Sequence, residues 1–130
     1  MTTVSLLPTL VNLEVLRADP RTITFKFTDP IRDLTTDTVT FSVYDGTDGT
    51  LVFEHSNAPG GHSSPALADG GETAFVLTAA DTDDAALESK TAWTFEVRVL
   101  PSGGVVGTDD FAAFYGTFVV VPRPKHVAQP

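Results

Sequence analysis

Apolar and polar residues alternate along most of this chain. Ile23, Phe25 and Phe27 are interleaved with Thr22, Thr24, Lys26 and Thr28, the period of two that gives a strand one buried and one wet face. Val39, Phe41 and Val43 alternate with Thr40, Ser42 and Tyr44 in the same way. Leu51 with Phe53, and Phe75 with Leu77, form shorter runs. Trp93, Phe95, Val97 and Val99 oppose Thr94, Glu96 and Arg98. Phe114, Gly116, Phe118 and Val120 make a last run, which Val119 and Val121 render apolar on both faces.

Turn signals separate these runs. Ala18-Asp19-Pro20-Arg21 suits a tight turn between a first strand, about Leu10–Arg17, and the Thr22–Thr28 strand. Asp45-Gly46-Thr47-Asp48-Gly49 fits a hairpin loop, since Asp-Gly supplies the positive φ such loops need. Pro101-Ser102-Gly103-Gly104 reads as another turn, and Asn57 to Gly71 as a long irregular loop. About seven to nine short strands with almost no helix predict an all-β fold, an antiparallel β-sandwich, with one short helical turn near 81–88. Its core should be led by Phe25, Phe27, Phe41, Trp93, Phe95 and Phe118.

The 130 residues are most simply one domain. The predicted organisation is an N-terminal arm over 1–10, a sandwich over 11–121 and an extended tail over 122–130. No apolar run approaches the ~18–20 residues that span a bilayer. The first residues lack a basic segment and a small-residue cleavage site, so no signal peptide is expected. The absence of cysteine excludes disulfides and thiolate chemistry. Seventeen acidic against eight basic residues give a net charge of −9, a surface that repels nucleic-acid phosphates and anionic lipid. Neither nucleic acid nor membrane is therefore an expected partner. Against that background Arg123, Lys125 and His126 form a small basic tail.

Candidate chemistry is sparse. Asp81, Asp83 and Asp84 crowd into four residues, but "DTDDAALESK" has no central glycine and sets Glu88 at the wrong offset for an EF-hand calcium loop. Thr78 or Asp81 capping a turn over Thr82–Glu88, with Leu87 plugging the sandwich edge, is the stronger reading. His55, His62 and His126 lack the i+2 or i+4 partners of zinc sites. No G-x-S-x-G elbow and no phosphate-cradling loop with its lysine occurs. Asp109-Asp110 is an adjacent carboxylate pair of no evident function. No catalytic residue, metal ligand or cofactor is expected, and an enzyme is not.

The ends of the chain are more informative. Leu6, Leu7 and Leu10 are apolar enough to dock on a neighbour, and Pro8 interrupts any helix. Pro122, Pro124 and Pro130 favour an extended tail around Arg123 and Lys125. Partner binding is therefore expected at Leu6, Leu7, Leu10, Pro122, Arg123, Pro124 and Lys125.

The order of elements carries a resemblance. Asp33-Leu34-Thr35 precedes a core strand, Thr78, Asp81 and Thr82 follow another, and Gly116, Phe118 and Val120 lie in a closing strand. Over about residues 11–122 this resembles the small immunoglobulin-like β-sandwich proteins in virions of tailed bacteriophages, including the N-terminal domain of upper baseplate proteins. The long Asn57–Gly71 loop and "VVGTDDFAAFYG", read as an insertion before the last strand, depart from that pattern. The resemblance implies a non-enzymatic virion protein: a capsid decoration protein bound in many copies, as a homo-oligomer or on a lattice, to the major capsid protein. The alternatives are a baseplate or tail-tip component, or a carbohydrate-binding or adhesin module using Trp93, Tyr44 or Tyr115.

Overall fold

The computed structural model describes residues 8–27, 32–45, 49–59, 68–83 and 93–121. Eight strands are present among them: β1 (Thr9–Leu10), β2 (Leu13–Leu16), β3 (Arg21–Lys26), β4 (Thr38–Asp45), β5 (Leu51–Asn57), β6 (Glu72–Leu77), β7 (Trp93–Leu100) and β8 (Phe111–Val121). A single turn of helix, α1 (Ala79–Thr82), follows β6. The larger sheet runs β1-β8-β7-β4-β5, with β2 also on β8; β3 and β6 form a second, two-stranded sheet. The fold is all-β, as the alternation predicts.

The core lies between the two sheets, where the alternating residues meet. Phe41 of β4 has five aromatic neighbours: Phe25, Phe53, Phe75, Phe95 and Phe118, with ring centroids 5.6–6.2 Å apart. Phe25 of β3 and Phe75 of β6 come from the smaller sheet, so these contacts join the layers. Trp93, Phe95, Val97 and Val99 are all buried, the full inward set of β7. Offset and edge-on ring pairs of this kind add about 0.5–1.5 kcal/mol each beyond the area they bury.

The expectation of a purely antiparallel sandwich is corrected. β1 and β2 both run parallel to β8, with Leu10 beside Tyr115 and Leu13 to Leu16 beside Phe118 to Val121. The predicted first strand over Leu10–Arg17 is thus two short strands, and Thr9 and Leu10 of the arm belong to the sheet. The interruption falls at Val11-Asn12. There the Val11 N–H donates to Tyr115 O at 2.8 Å, while Asn12 Oδ1 accepts from the Thr117 N–H and hydroxyl. Gly116 makes the approach possible, because a Cβ at that position would fall on the Val11 carbonyl oxygen.

The supposed insertion before the last strand is also corrected, since Phe111 to Gly116 form the first half of β8. A register shift between Val97 and Arg98 admits one extra residue on β8, and that bulge is what breaks the alternation. The helical turn lies at Ala79–Thr82, earlier than the predicted 81–88. Its N-cap is Thr78, whose N–H donates to Asp81 Oδ2 at 2.8 Å. Leu87, and the rest of 84–90, fall outside the described residues.

Turn chemistry follows the sequence. Gly103, at φ +76°, and the 2.9 Å bond from the Gly104 N–H to Pro101 O close the turn after β7. Asp33 Oδ1 accepts the Thr35 N–H at 2.9 Å, and hydrogen bonds from the Thr35 hydroxyl and then its N–H hold the Asp33 carboxyl below the usual carboxylate range. This small turn drops Leu34 fully into the core ahead of β4.

Candidate functional site

The aspartate cluster resolves into a clasp. Asp81 Oδ2, besides accepting from Thr78, lies 2.7 Å from His55 Nε2 on β5. Thr82 Oγ1 accepts the N–H of Ala18 at 2.8 Å, and Asp83 pairs with Arg17 at 2.9 Å. Ala18 stands at φ +57°, a left-handed conformation that a non-glycine residue adopts at a cost of about 1–2 kcal/mol. Fixing its N–H is how α1 secures the β2–β3 turn. Three consecutive residues, Asp81, Thr82 and Asp83, therefore tie β5 and the β2–β3 turn to the end of β6. Among the described residues no group of three or more His, Asp or Glu side chains could hold a metal ion.

His55 has no ligand-spaced partner along the chain, and its pairing with Asp81 is not visible in the sequence. The two are 26 residues apart and meet only because β5 and β6 lie side by side at the layer boundary. His62 and His126 lie outside the described residues, as do Leu6, Leu7, Pro122, Arg123, Pro124 and Lys125. Leu10 is the one expected partner-binding residue within the described structure. It is 60% exposed on β1 and sits beside Tyr115, itself 40% exposed.

Register shows what surrounds that pair. Phe114 packs inward on Phe25 and Phe27, so Tyr115 and Leu10 point out. Tyr115 is level with Glu96 of β7, then Ser42 of β4, then Glu54 of β5. The next rows are Ala112, Arg98, Thr40 and Ser56 on one side, and Thr117, Thr94, Tyr44 and Leu51 on the other. The outer face of the large sheet is therefore hydroxyl-rich and carries both tyrosines. Trp93, in contrast, is buried and offers no exposed ring.

Over one end of this face folds the 101–110 loop. Asp109 Oδ2 accepts the Val105 N–H at 2.7 Å, and Asp110 Oδ1 accepts the Gly107 N–H at 2.8 Å. Asp110 Oδ2 also takes a 2.9 Å bond from Arg98 Nε. The adjacent carboxylates thus shape a loop and anchor it to β7. Between the loop and β4, β5 and β7 lies an open groove of about 280 Å³ with Tyr44, Leu100 and Val106 among its walls and Glu54, Arg98 and Asp110 as its charges. Ser42 Oγ donates to Glu54 Oε2 at 2.8 Å, and no cation among the described residues pairs with Glu54.

The Arg98 hydrogen bond, followed by that of Gly107, holds the Asp110 carboxyl below the ordinary carboxylate range, and Asp110 in turn raises Arg98. A lowered folded value means the stabilisation is complete above the unfolded value, about 3.9, and is lost as pH falls through the folded one. Asp110→Asn should melt earlier than wild type at pH 7 and differ from it least at pH 2–3. Melting curves from pH 2 to 7 test this, and a constant gap between the two proteins would refute it.

The chain matches no protein-family model and no curated protein sequence.

Proposed function

We propose that this chain is a non-enzymatic structural protein of a bacteriophage virion, a capsid decoration protein that binds the major capsid protein lattice in many copies. The observation that carries the reading is where the two candidate anchors attach. Residues 1–7 precede β1, which is level with Phe114, while residues 122–130 follow Val121, which is level with Leu16. Leu10 and Leu16 are separated by about 20 Å of strand. An apolar arm and a basic, proline-rich tail thus join the body at opposite ends. A small module built this way can grip two neighbours on a symmetric shell, where repeated weak contacts add through avidity.

Strand order supports an immunoglobulin-like sandwich for the body. The β5-β4-β7-β8 sheet facing β3-β6 follows the arrangement of variable-type domains, with β4 and β7 at the centre. Those domains commonly pack a tryptophan on an inter-sheet disulfide; here Phe41 and its ring of phenylalanines fill that space instead. The clustered acids Asp81, Asp83, Asp109 and Asp110 are engaged in holding backbone, histidine and arginine.

The test is attachment to particles. Removing residues 1–7, which spares β1, or residues 122–130 should lower occupancy on purified virions on the order of tenfold while melting is unchanged. Electron microscopy of intact particles should find the wild-type chain repeated across the capsid surface. Density at the baseplate or tail tip would move the protein there. Absence from purified particles, or full occupancy by both truncated chains, would overturn the reading.

A further inference from the structure

We propose that the groove on the outer face of β4, β5 and β7 binds the 122–130 segment of a second copy of this chain, joining copies head to tail. The inference names a second copy as the neighbour that the tail grips, and it is tested on purified protein alone, so its outcome is separate from that of the virion reading.

Composition on the two sides is complementary. The groove offers the Tyr44 ring with Leu100 and Val106 as apolar walls, beside a Glu54 carboxylate whose partner among the described residues is a serine hydroxyl. The carboxylates on this face, Glu54, Glu96 and Asp110, outnumber its one arginine, Arg98. The segment "PRPKHVAQP" carries the opposite character, with Arg123 and Lys125 set between prolines in a chain of net charge −9. Extended proline-rich segments dock in aromatic-lined grooves because their conformation is already fixed, and acidic groups beside such grooves select flanking basic residues.

Geometry favours a second copy over the segment's own body. The groove lies toward the end of the sheet that holds Thr38, Leu100 and Asp110. Tyr44 is level with Thr94 and Thr117, and Val121 lies four residues further on along β8. The described chain therefore ends about 13 Å beyond the nearest edge of the groove, with β8 running away from it. Val121 and Arg123 each precede a proline, which biases both towards extended backbone and against an immediate reversal. A contact between unlike patches at opposite ends of one molecule is heterologous, so it propagates from copy to copy and closes only if the rotation allows.

Sedimentation velocity of the full chain should show association that rises with concentration and weakens in high salt, while the chain ending at Val121 stays monomeric. A fluorescent peptide of residues 121–130 should bind that shortened chain saturably. Tyr44→Ala and Glu54→Gln, both on the outer face of the large sheet, should each weaken peptide binding about tenfold without changing the circular dichroism. Arg123→Glu with Lys125→Glu in the peptide should abolish it. A full chain that remains monomeric at every concentration overturns the proposal, even if the peptide binds the shortened chain, because that combination describes a segment folded on its own body. Peptide binding indifferent to Tyr44→Ala and Glu54→Gln overturns it equally, by removing the groove.

Discussion

Phe41→Ala is expected to unfold this protein or to lower its melting temperature by about 10–20 °C, the equivalent of 3–5 kcal/mol for a phenylalanine removed from a closed core. The size of the effect follows from position. Phe41 is fully buried at the centre of β4, and its ring touches residues of β3, β5, β6, β7 and β8. Neighbours fixed in five strands cannot all move inward to fill the space, so most of the cavity persists. Phe111→Ala is the matched control. That ring is 39% exposed at the start of β8, with the Arg32 guanidinium 5.2 Å from its centroid. Its loss should cost about 1 kcal/mol. Equal shifts for the two variants, measured by thermal denaturation, would show that the core is not organised around Phe41.

Gly116→Ala should cost about 3 kcal/mol or more by a different route. The added methyl would meet the carbonyl oxygen and carbon of Val11, and these are backbone atoms that cannot rotate away. Relief requires β1 and β2 to separate from β8, which breaks the parallel pairing and the Asn12–Thr117 bonds. Hydrogen exchange should locate the damage, with protection lost at the Val11 N–H that bonds Tyr115 O. Gly49→Ala provides the contrast. Gly49 has open space around it but stands at φ +74°, so alanine there costs only the left-handed penalty of about 1–2 kcal/mol. If Gly116→Ala melts like Gly49→Ala with the Val11 amide still protected, the close approach is not what positions the N-terminal strand.

Where alternation is strict, the fold is legible in the sequence. β4 and β7 each pack every second residue into the core, and Phe25, Phe41, Trp93 and Phe95 lie where the pattern sets them. Legibility fails where something other than period two decides. The bulge at Val97-Arg98 hides the first half of β8. Parallel pairing of β2 with β8 leaves no local trace, since both strands look the same whichever way they run. The acid run after β6 marks a helical turn in composition, but its bounds depend on which backbone N–H Asp81 reaches. At the candidate site the tyrosines were legible as exposed rings in prospect, and Trp93 as a core residue by its phase. Glu54, by contrast, joins Ser42, Tyr44 and Arg98 only through the registers of β4 with β5 and β7. No spacing along one strand encodes that meeting.

The parallel seam between β2 and β8 also sets the order of events as the molecule forms. Asn12 and Thr117, which bond across it, are 105 residues apart in sequence. Closing a loop of that length must precede any reward from the contact, which slows folding relative to a chain of local hairpins. On the ribosome β2 has no partner until β8 emerges, whereas β4 and β5 can pair as soon as their connecting loop is made. Until then the inward side chains of β2 and the unpaired edge of β7 are open to association with other chains. Kinetic folding experiments should accordingly find the β4–β5 pair formed early and the N-terminal strand docked last, so that substitutions at Val15 speed unfolding far more than they slow folding.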